Sequence, residues 1–128
     1  MKLSIIVPVY NEEENIPLLN DALVAAISSL PHDWEAVLVD DGSKDGSMRE
    51  LEKLAAKDPV HFRVVGLRRN FGQTAAIAAG IDHSDGDVII LMDADLQNDP
   101  ADIPMMVQKI EEGYDLVSGW RKRRKDAF

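Results

Sequence analysis

The sequence predicts an α/β domain, a doubly wound and mostly parallel sheet with helices on both faces. Apolar runs of strand length alternate with stretches of helical period from one end of the chain to the other. The links between them are short, as βαβ units require. The first run, Leu3 to Tyr10, is almost continuously apolar, the pattern of a strand covered on both faces.

After that first strand, Ile16, Leu19, Leu23, Ile27 and Leu30 recur at helical spacing. Asn15 is placed to cap this helix, and Pro17 falls in its first turn, where a missing N–H costs nothing. Ala36 to Val39 forms a second strand that runs into Asp40-Asp41-Gly42-Ser43. Met48, Leu51 and Leu54 mark a second helix, stopped before Pro59. Phe62 to Leu67 is a third strand, and the loop at Asn70-Phe71-Gly72 leads to an alanine-rich helix from Thr74 to Ile81. Its small side chains permit close approach to a sheet. Val88 to Met92 is a fourth strand, followed by Asp93-Ala94-Asp95. Ile103, Met106, Val107 and Ile110 make the next helix, with Gly113 as its stop, and Leu116 to Trp120 is a fifth strand.

At 128 residues the chain has the size of one domain. Its 45% hydrophobic content is that of a soluble globular protein. No apolar run approaches the ~18 residues of a membrane-spanning helix, and the N-terminal apolar run is too short for a signal-peptide core. With no cysteine there is no disulfide or thiolate metal site, which fits a reducing cytoplasm. The net charge of -9 averages two unlike parts. Five of the 14 basic residues lie between Arg121 and Lys125, leaving nine basic against 22 acidic residues over positions 1–120. Such a body repels nucleic acid, whereas its acidic loops suit a divalent cation.

Parallel sheets bind ligands at the carboxyl ends of their strands. Here those ends carry Asn11-Glu12, Asp40-Asp41-Gly42-Ser43, Arg68-Arg69-Asn70, Asp93-Ala94-Asp95 and Arg121. The sharpest motif is Asp93-Ala94-Asp95-Leu96-Gln97. Residues two apart in extended chain point the same way, so two carboxylates and an amide oxygen can converge on Mg²⁺ or Mn²⁺. Without that placement the same residues read as a solvated acidic loop. Asp40 and Asp41 can accept from a nucleobase N–H or a ribose hydroxyl, or simply form a turn with Gly42. Pro8-Val9-Tyr10-Asn11-Glu12 can cradle a flat ring with Tyr10 as a wall, or serve as a plain strand-to-helix turn. Arg68, Arg69 and Asn70 read equally as phosphate contacts or surface charge. Arg121 to Lys125 reads as a solvated tail or a membrane-surface patch, with Arg121 placed to meet a phosphate. His32, His61 and His83 show no ligand spacing.

Taken in order, Ile5-Ile6-Val7-Pro8-Val9-Tyr10-Asn11-Glu12, Val39-Asp40-Asp41-Gly42-Ser43, Arg69-Asn70-Phe71-Gly72-Gln73, Asp93-Ala94-Asp95-Leu96-Gln97 and Gly119-Trp120-Arg121 resemble the inverting family 2 glycosyltransferases of the GT-A (Rossmann-like) fold. Within them the likeness is greatest to the dolichyl- and undecaprenyl-phosphate glycosyltransferases. The resemblance implies transfer of a sugar from a nucleotide-diphosphate donor to a polyprenyl phosphate, with a uridine diphosphate sugar favoured and GDP-mannose possible. It implies that Pro8, Tyr10, Glu12, Asp40 and Asp41 serve the nucleoside. It places Asp93 near ribose and diphosphate, Asp95 and Gln97 on a Mg²⁺ or Mn²⁺ ion with Asp93 close by, and Arg121 at the acceptor phosphate. The family continues well beyond this length, with acceptor elements and membrane segments. The resemblance therefore implies a C-terminally truncated piece, residues 1–128, of a protein working at the cytoplasmic face of a membrane; this piece itself is expected to be soluble, with membrane contact confined to the basic run and the missing segments. The alternatives are a transferase acting on a saccharide acceptor and a donor-binding fragment without turnover.

Other Mg²⁺-dependent or nucleotide-binding α/β domains fit less well. Receivers place an acidic pair after the first strand and the acceptor aspartate after the third, and dehalogenase-like phosphatases an Asp-x-Asp after the first with a downstream lysine, whereas here the aspartate pairs follow the second and fourth. A dinucleotide-binding turn needs Gly-x-Gly-x-x-Gly where this chain has Asn11-Glu12-Glu13-Glu14.

Overall fold

The structure is a computed structural model that describes residues 1–95 and 100–112. The predicted fifth strand, Gly113, Gln97 and Arg121 lie outside the described residues. Four parallel strands, β1 (Lys2–Val9), β2 (Asp33–Asp40), β3 (Phe62–Gly66) and β4 (Val88–Leu91), form a sheet in the order β3-β2-β1-β4. The helices are α1 (Ile16–Ile27), α2 (Ser47–Lys57), α3 (Gln73–Asp82) and α4 (Ile103–Glu111), the last preceded by a single 3₁₀ turn. The doubly wound α/β architecture is the one the alternation predicts.

Side-chain alternation along β1 sorts the two layers. Leu3, Ile5, Val7 and Val9 face a core shared with α1, Leu51 of α2, and Ile103, Met106 and Val107 of α4. Ile6, Val37 and Val39 face the other way, onto Ala76 of α3. A Cβ at Gly80 would stand 2.4 Å from Ile6 Cγ2, so α3 lies against the sheet at a distance that only glycine permits.

Two boundaries differ from the sequence expectation by three residues, and the other strand and helix ends that differ do so by one. β2 starts at Asp33, three residues before Ala36, because the parallel ladder with β1 runs the full length from Lys2↔Asp33 to Val9↔Asp40. α1 ends at Ile27, where Ser28 turns its hydroxyl back to the Val24 carbonyl at 2.6 Å, and Leu30 packs on the core from outside the helix. Asn15 stands at the N-cap position, but its amide donates to Glu12 Oε2 at 2.7 Å and caps nothing.

Below the sheet, Glu35 is buried at the amino-terminal end and accepts from Ser4 Oγ at 2.6 Å and Asp85 N–H at 2.8 Å. Ser4 Oγ accepts in turn from Gly86 N–H at 2.8 Å. These bonds satisfy a buried carboxylate and fix the turn that delivers the chain from α3 into β4. The chain thus crosses from β3 at one edge to β4 at the other, and the strand order reverses between β1 and β4. That crevice is where an open α/β sheet receives a ligand.

Candidate active site

Pro8 decides how the crevice opens. Along β1 the carbonyls of Lys2 and Ile6 accept from Asp87 and Met92 N–H, so the even-numbered residues face β4. The β1–β4 ladder ends at Ile6↔Leu91. A donor at position 8 would continue the ladder, and proline has none. Pairing stops, and a cavity of about 420 Å³ lies where the two strands end. Pro8 lines it from β1, Tyr10 and Glu12 from the loop that follows, and Asp93 and Asp95 from the loop after β4. Asp41, Asn70, Gly72 and Gln73 complete the wall.

The two loops beside β1 and β2 are laced to each other. Asn11 adopts φ 53°, its N–H donates to Ser43 Oγ at 2.9 Å and its Oδ1 accepts from Lys44 N–H at 2.9 Å. Glu12 N–H donates to Ser47 Oγ at 2.9 Å. Asp45 takes the first backbone donor of α2, accepting from Ser47 N–H at 2.9 Å. Burial works to raise the Asp45 carboxyl pKa, but hydrogen bonds from Ser47 and from Glu13 N–H outweigh it and hold it below the usual value.

Asp40 is 5% exposed at the last position of β2. Its Oδ2 accepts from Ser43 N–H at 3.2 Å, while Oδ1 is the one buried side-chain nitrogen or oxygen without a hydrogen-bond partner among the described residues. It is not itself a wall of the cavity; its neighbour Asp41 is. Asp41, 3% exposed, accepts from Phe71 N–H at 2.8 Å through Oδ1 and from Gly72 N–H at 3.0 Å through Oδ2. Asn70 Nδ2 adds a third donor at 3.2 Å. Tyr10 is exposed, 40% of its surface open above the strand end.

The structure therefore gathers Pro8, Tyr10, Glu12, Asp41, Asp93 and Asp95 on one cavity, with Asp40 buried behind it. Gln73 was not singled out as a site residue by the sequence. It stands at the first position of α3 and its Nε2 lies 3.4 Å from Asp93 Oδ1. The signal that could have found it is the turn sequence Asn70-Phe71-Gly72 immediately before a helix at the active edge. As for a metal, the described residues contain no group of three or more carboxylate, imidazole or thiolate side chains able to hold an ion. Asp93 and Asp95 place two carboxylates, two residues apart, on the wall of the cavity. That set suits Mg²⁺ or Mn²⁺, which take one or two carboxylates and complete their shells with substrate phosphate and water.

An open parallel sheet with a crevice at its switch point is the frame in which many α/β domains bind ligands, and the comparisons identify the family. Residues 4–128 match Glycosyl transferase family 2, and the chain belongs to that family. It is 50% identical over 129 residues to the dodecaprenyl-phosphate galacturonate synthase of Rhizobium johnstonii, covering 100% of this chain and 38% of that protein. It is 45% identical to the undecaprenyl-phosphate 4-deoxy-4-formamido-L-arabinose transferase of Proteus mirabilis, over 99% of this chain and 39% of that one. Among solved structures, S. aureus TarS 1-349 in complex with UDP-GlcNAc superposes with a TM-score of 0.72 at 27% identity, covering 88% of this chain and 32% of that one. The mannosyltransferase PcManGT from Pyrobaculum calidifontis, in complex with GDP-Man and Mn²⁺, gives 0.62 at 27% identity, over 73% and 27% of the two chains. The fold is the GT-A type. The chain spans about two-fifths of the length of the curated relatives.

Proposed function

We propose that residues 1–128 form the nucleotide-sugar-binding part of a glycosyltransferase that moves a sugar, with inversion, from a nucleotide diphosphate to a polyprenyl phosphate. The observation that carries the proposal is the cavity at the β1/β4 switch point. It brings two carboxylates from one strand end together with an apolar and aromatic wall from the other. The curated relatives are named for transfer to polyprenyl phosphates, and the solved neighbours hold UDP-GlcNAc or GDP-Man.

In this reading Pro8 and Tyr10 wall the base, and Glu12 borders the same nucleoside pocket. Asp40 supplies the acceptor for a base N–H; its unpartnered Oδ1 is the kind of buried oxygen that such a donor would satisfy. A uridine diphosphate sugar is the favoured donor, with GDP-mannose the alternative. A diphosphate entering this cavity meets the Asp93 and Asp95 carboxylates, and each such pair repels by about 4 kcal/mol at 4 Å near a protein surface. Asp93 and Asp95, with Gln97 beyond the described residues, would hold a Mg²⁺ or Mn²⁺ ion. When bound, that ion offsets the charge of donor and leaving diphosphate.

The acceptor phosphate needs little activation, because it is already an anionic nucleophile. Its oxygen forms the new bond to the anomeric carbon as the bond to the diphosphate breaks, and the nucleoside diphosphate carries away the electron pair. The protein's task is in-line positioning and charge neutralisation, with Arg121 assigned to the acceptor phosphate. Calorimetric titration with UDP in the presence of Mn²⁺ tests the proposal. Saturable binding that Asp40→Ala weakens supports it, and no binding of any nucleoside diphosphate overturns it.

A further inference from the structure

We infer that Asp41 is a positioning residue, a latch that holds the Asn70–Gln73 loop in shape so that Gly72 and Gln73 form the wall of the nucleotide site. The inference rests on the nucleotide-site reading above and narrows the part Asp41 plays in it. An ionised carboxylate offers about four acceptor positions. Three donors of one loop occupy them here: Phe71 N–H at 2.8 Å, Gly72 N–H at 3.0 Å and Asn70 Nδ2 at 3.2 Å. Two of these are consecutive backbone amides that α3 leaves outside its own ladder, which begins with Ala76 N–H to the Gly72 carbonyl at 3.1 Å. Charge-assisted bonds of this kind, made by a side chain that is 97% buried, are strong and directional.

The backbone beside the latch is equally constrained. Gly42, at φ +71°, sits so close to the loop that a Cβ would lie 2.3 Å from the Arg69 carbonyl carbon and 2.4 Å from Asn70 N. Gly72 adopts φ +106°, a conformation that L side chains rarely take, although a Cβ there would meet nothing within 4 Å. The loop is thus held in an uncommon shape from the β2 side. Gln73 comes next, at the head of α3 and within 3.4 Å of Asp93. Asp41 borders the cavity as well, but its three bonds link it to Asp93 by way of the loop. A loop fixed before binding spares the nucleotide the cost of ordering it.

Two readouts on the 128-residue chain separate this from a direct role. Amide hydrogen exchange at Phe71 and Gly72, without nucleotide, reports the latch; UDP titration with Mn²⁺ reports the site. Asp41→Asn keeps the volume and one acceptor oxygen. It should speed exchange at those two amides and weaken UDP roughly five- to tenfold, the effect of losing a charged acceptor from a buried network. Gly72→Ala keeps the Asp41 carboxylate but strains the loop, and should speed exchange at Phe71 and weaken UDP by a similar factor. Loss of affinity in Asp41→Asn with exchange at Phe71 and Gly72 unchanged would make Asp41 a direct ligand and overturn the latch. So would faster exchange with full affinity, no change in either readout, or a Gly72→Ala chain that binds UDP normally. If the parent chain binds no nucleoside diphosphate, the nucleotide reading fails, while the exchange data still decide whether Asp41 holds the loop.

Discussion

Glu13 and Asp45 stitch together the two loops beside β1 and β2, each carboxylate accepting from a backbone N–H of the opposite loop. Asp45 Oδ2 accepts from Glu13 N–H at 3.3 Å, and Glu13 Oε1 accepts from Gly46 N–H at 2.9 Å. A Cβ at Gly46 would fall 2.6 Å from Glu13 Oε2, so the loops meet at van der Waals distance. The two bonds fix the end of β1 relative to the start of α2, and with it the part of the cavity rim that Tyr10 and Glu12 supply.

Acid should loosen this arrangement. Asp45, Asp58 and Asp85 all have carboxyl pKa values below the ordinary 3.8. In Asp58 burial works upward and is outweighed by hydrogen bonds from His61, whose ring lies 2.9 Å away; in Asp85 the hydrogen bond from Lys2 leads. A depressed carboxylate stabilises the fold above its unfolded pKa, and the contribution disappears as pH falls through the folded value. The urea midpoint should therefore decline below about pH 4. Asp45→Asn should flatten that decline, measured by fluorescence across an acid series. Lys2 works in the other direction. Its pKa is raised above 10.5 by Asp85, so its contribution is complete at neutral pH and lost only as pH rises through the raised value.

Asp40→Ala should weaken UDP binding by about 1–3 kcal/mol, the loss expected when a buried acceptor for a ligand N–H is removed. Calorimetry measures this, and unchanged affinity would remove Asp40 from the site.

Asp95→Asn should abolish the part of UDP affinity that depends on Mg²⁺ or Mn²⁺, and Gln97→Ala should reduce it less. A UDP titration with and without EDTA checks both. Affinity that survives the chelator undiminished would mean that Asp93 and Asp95 serve another purpose.

Arg121→Ala, in a protein extended to the length of the curated relatives, should cripple sugar transfer while leaving UDP affinity close to normal. Lys122 and Arg124 substitutions should act more weakly, and added salt should diminish their effect. Equal losses at all five basic positions would favour a nonspecific anchor instead.

Gly80→Ala should destabilise the domain. Alanine gains about 1 kcal/mol in helix propensity, but overpacking a tight contact costs about 1–3 kcal/mol. The clash at 2.4 Å is with a β-branched side chain, Ile6, that has little freedom to move. A lowered urea midpoint with retained helical circular dichroism is the expected result.

Much of this protein is written locally. Apolar runs of strand length mark the described strands, and apolar spacing or alanine content the helices, because these patterns depend only on neighbours along the chain. They also place Asp40 and Asp93 at strand ends, where a parallel sheet exposes its ligands. Tertiary structure decided what each carboxylate does there. Asp40 and Asp41 are adjacent and chemically identical, yet one keeps a buried oxygen without a partner and the other binds three donors from a loop 30 residues away. Nor could the sequence show that β4 lies beside β1, or that Pro8 falls just past the last pair between them. Strand order and loop contacts come from segments distant in the chain, whose meeting no local pattern encodes.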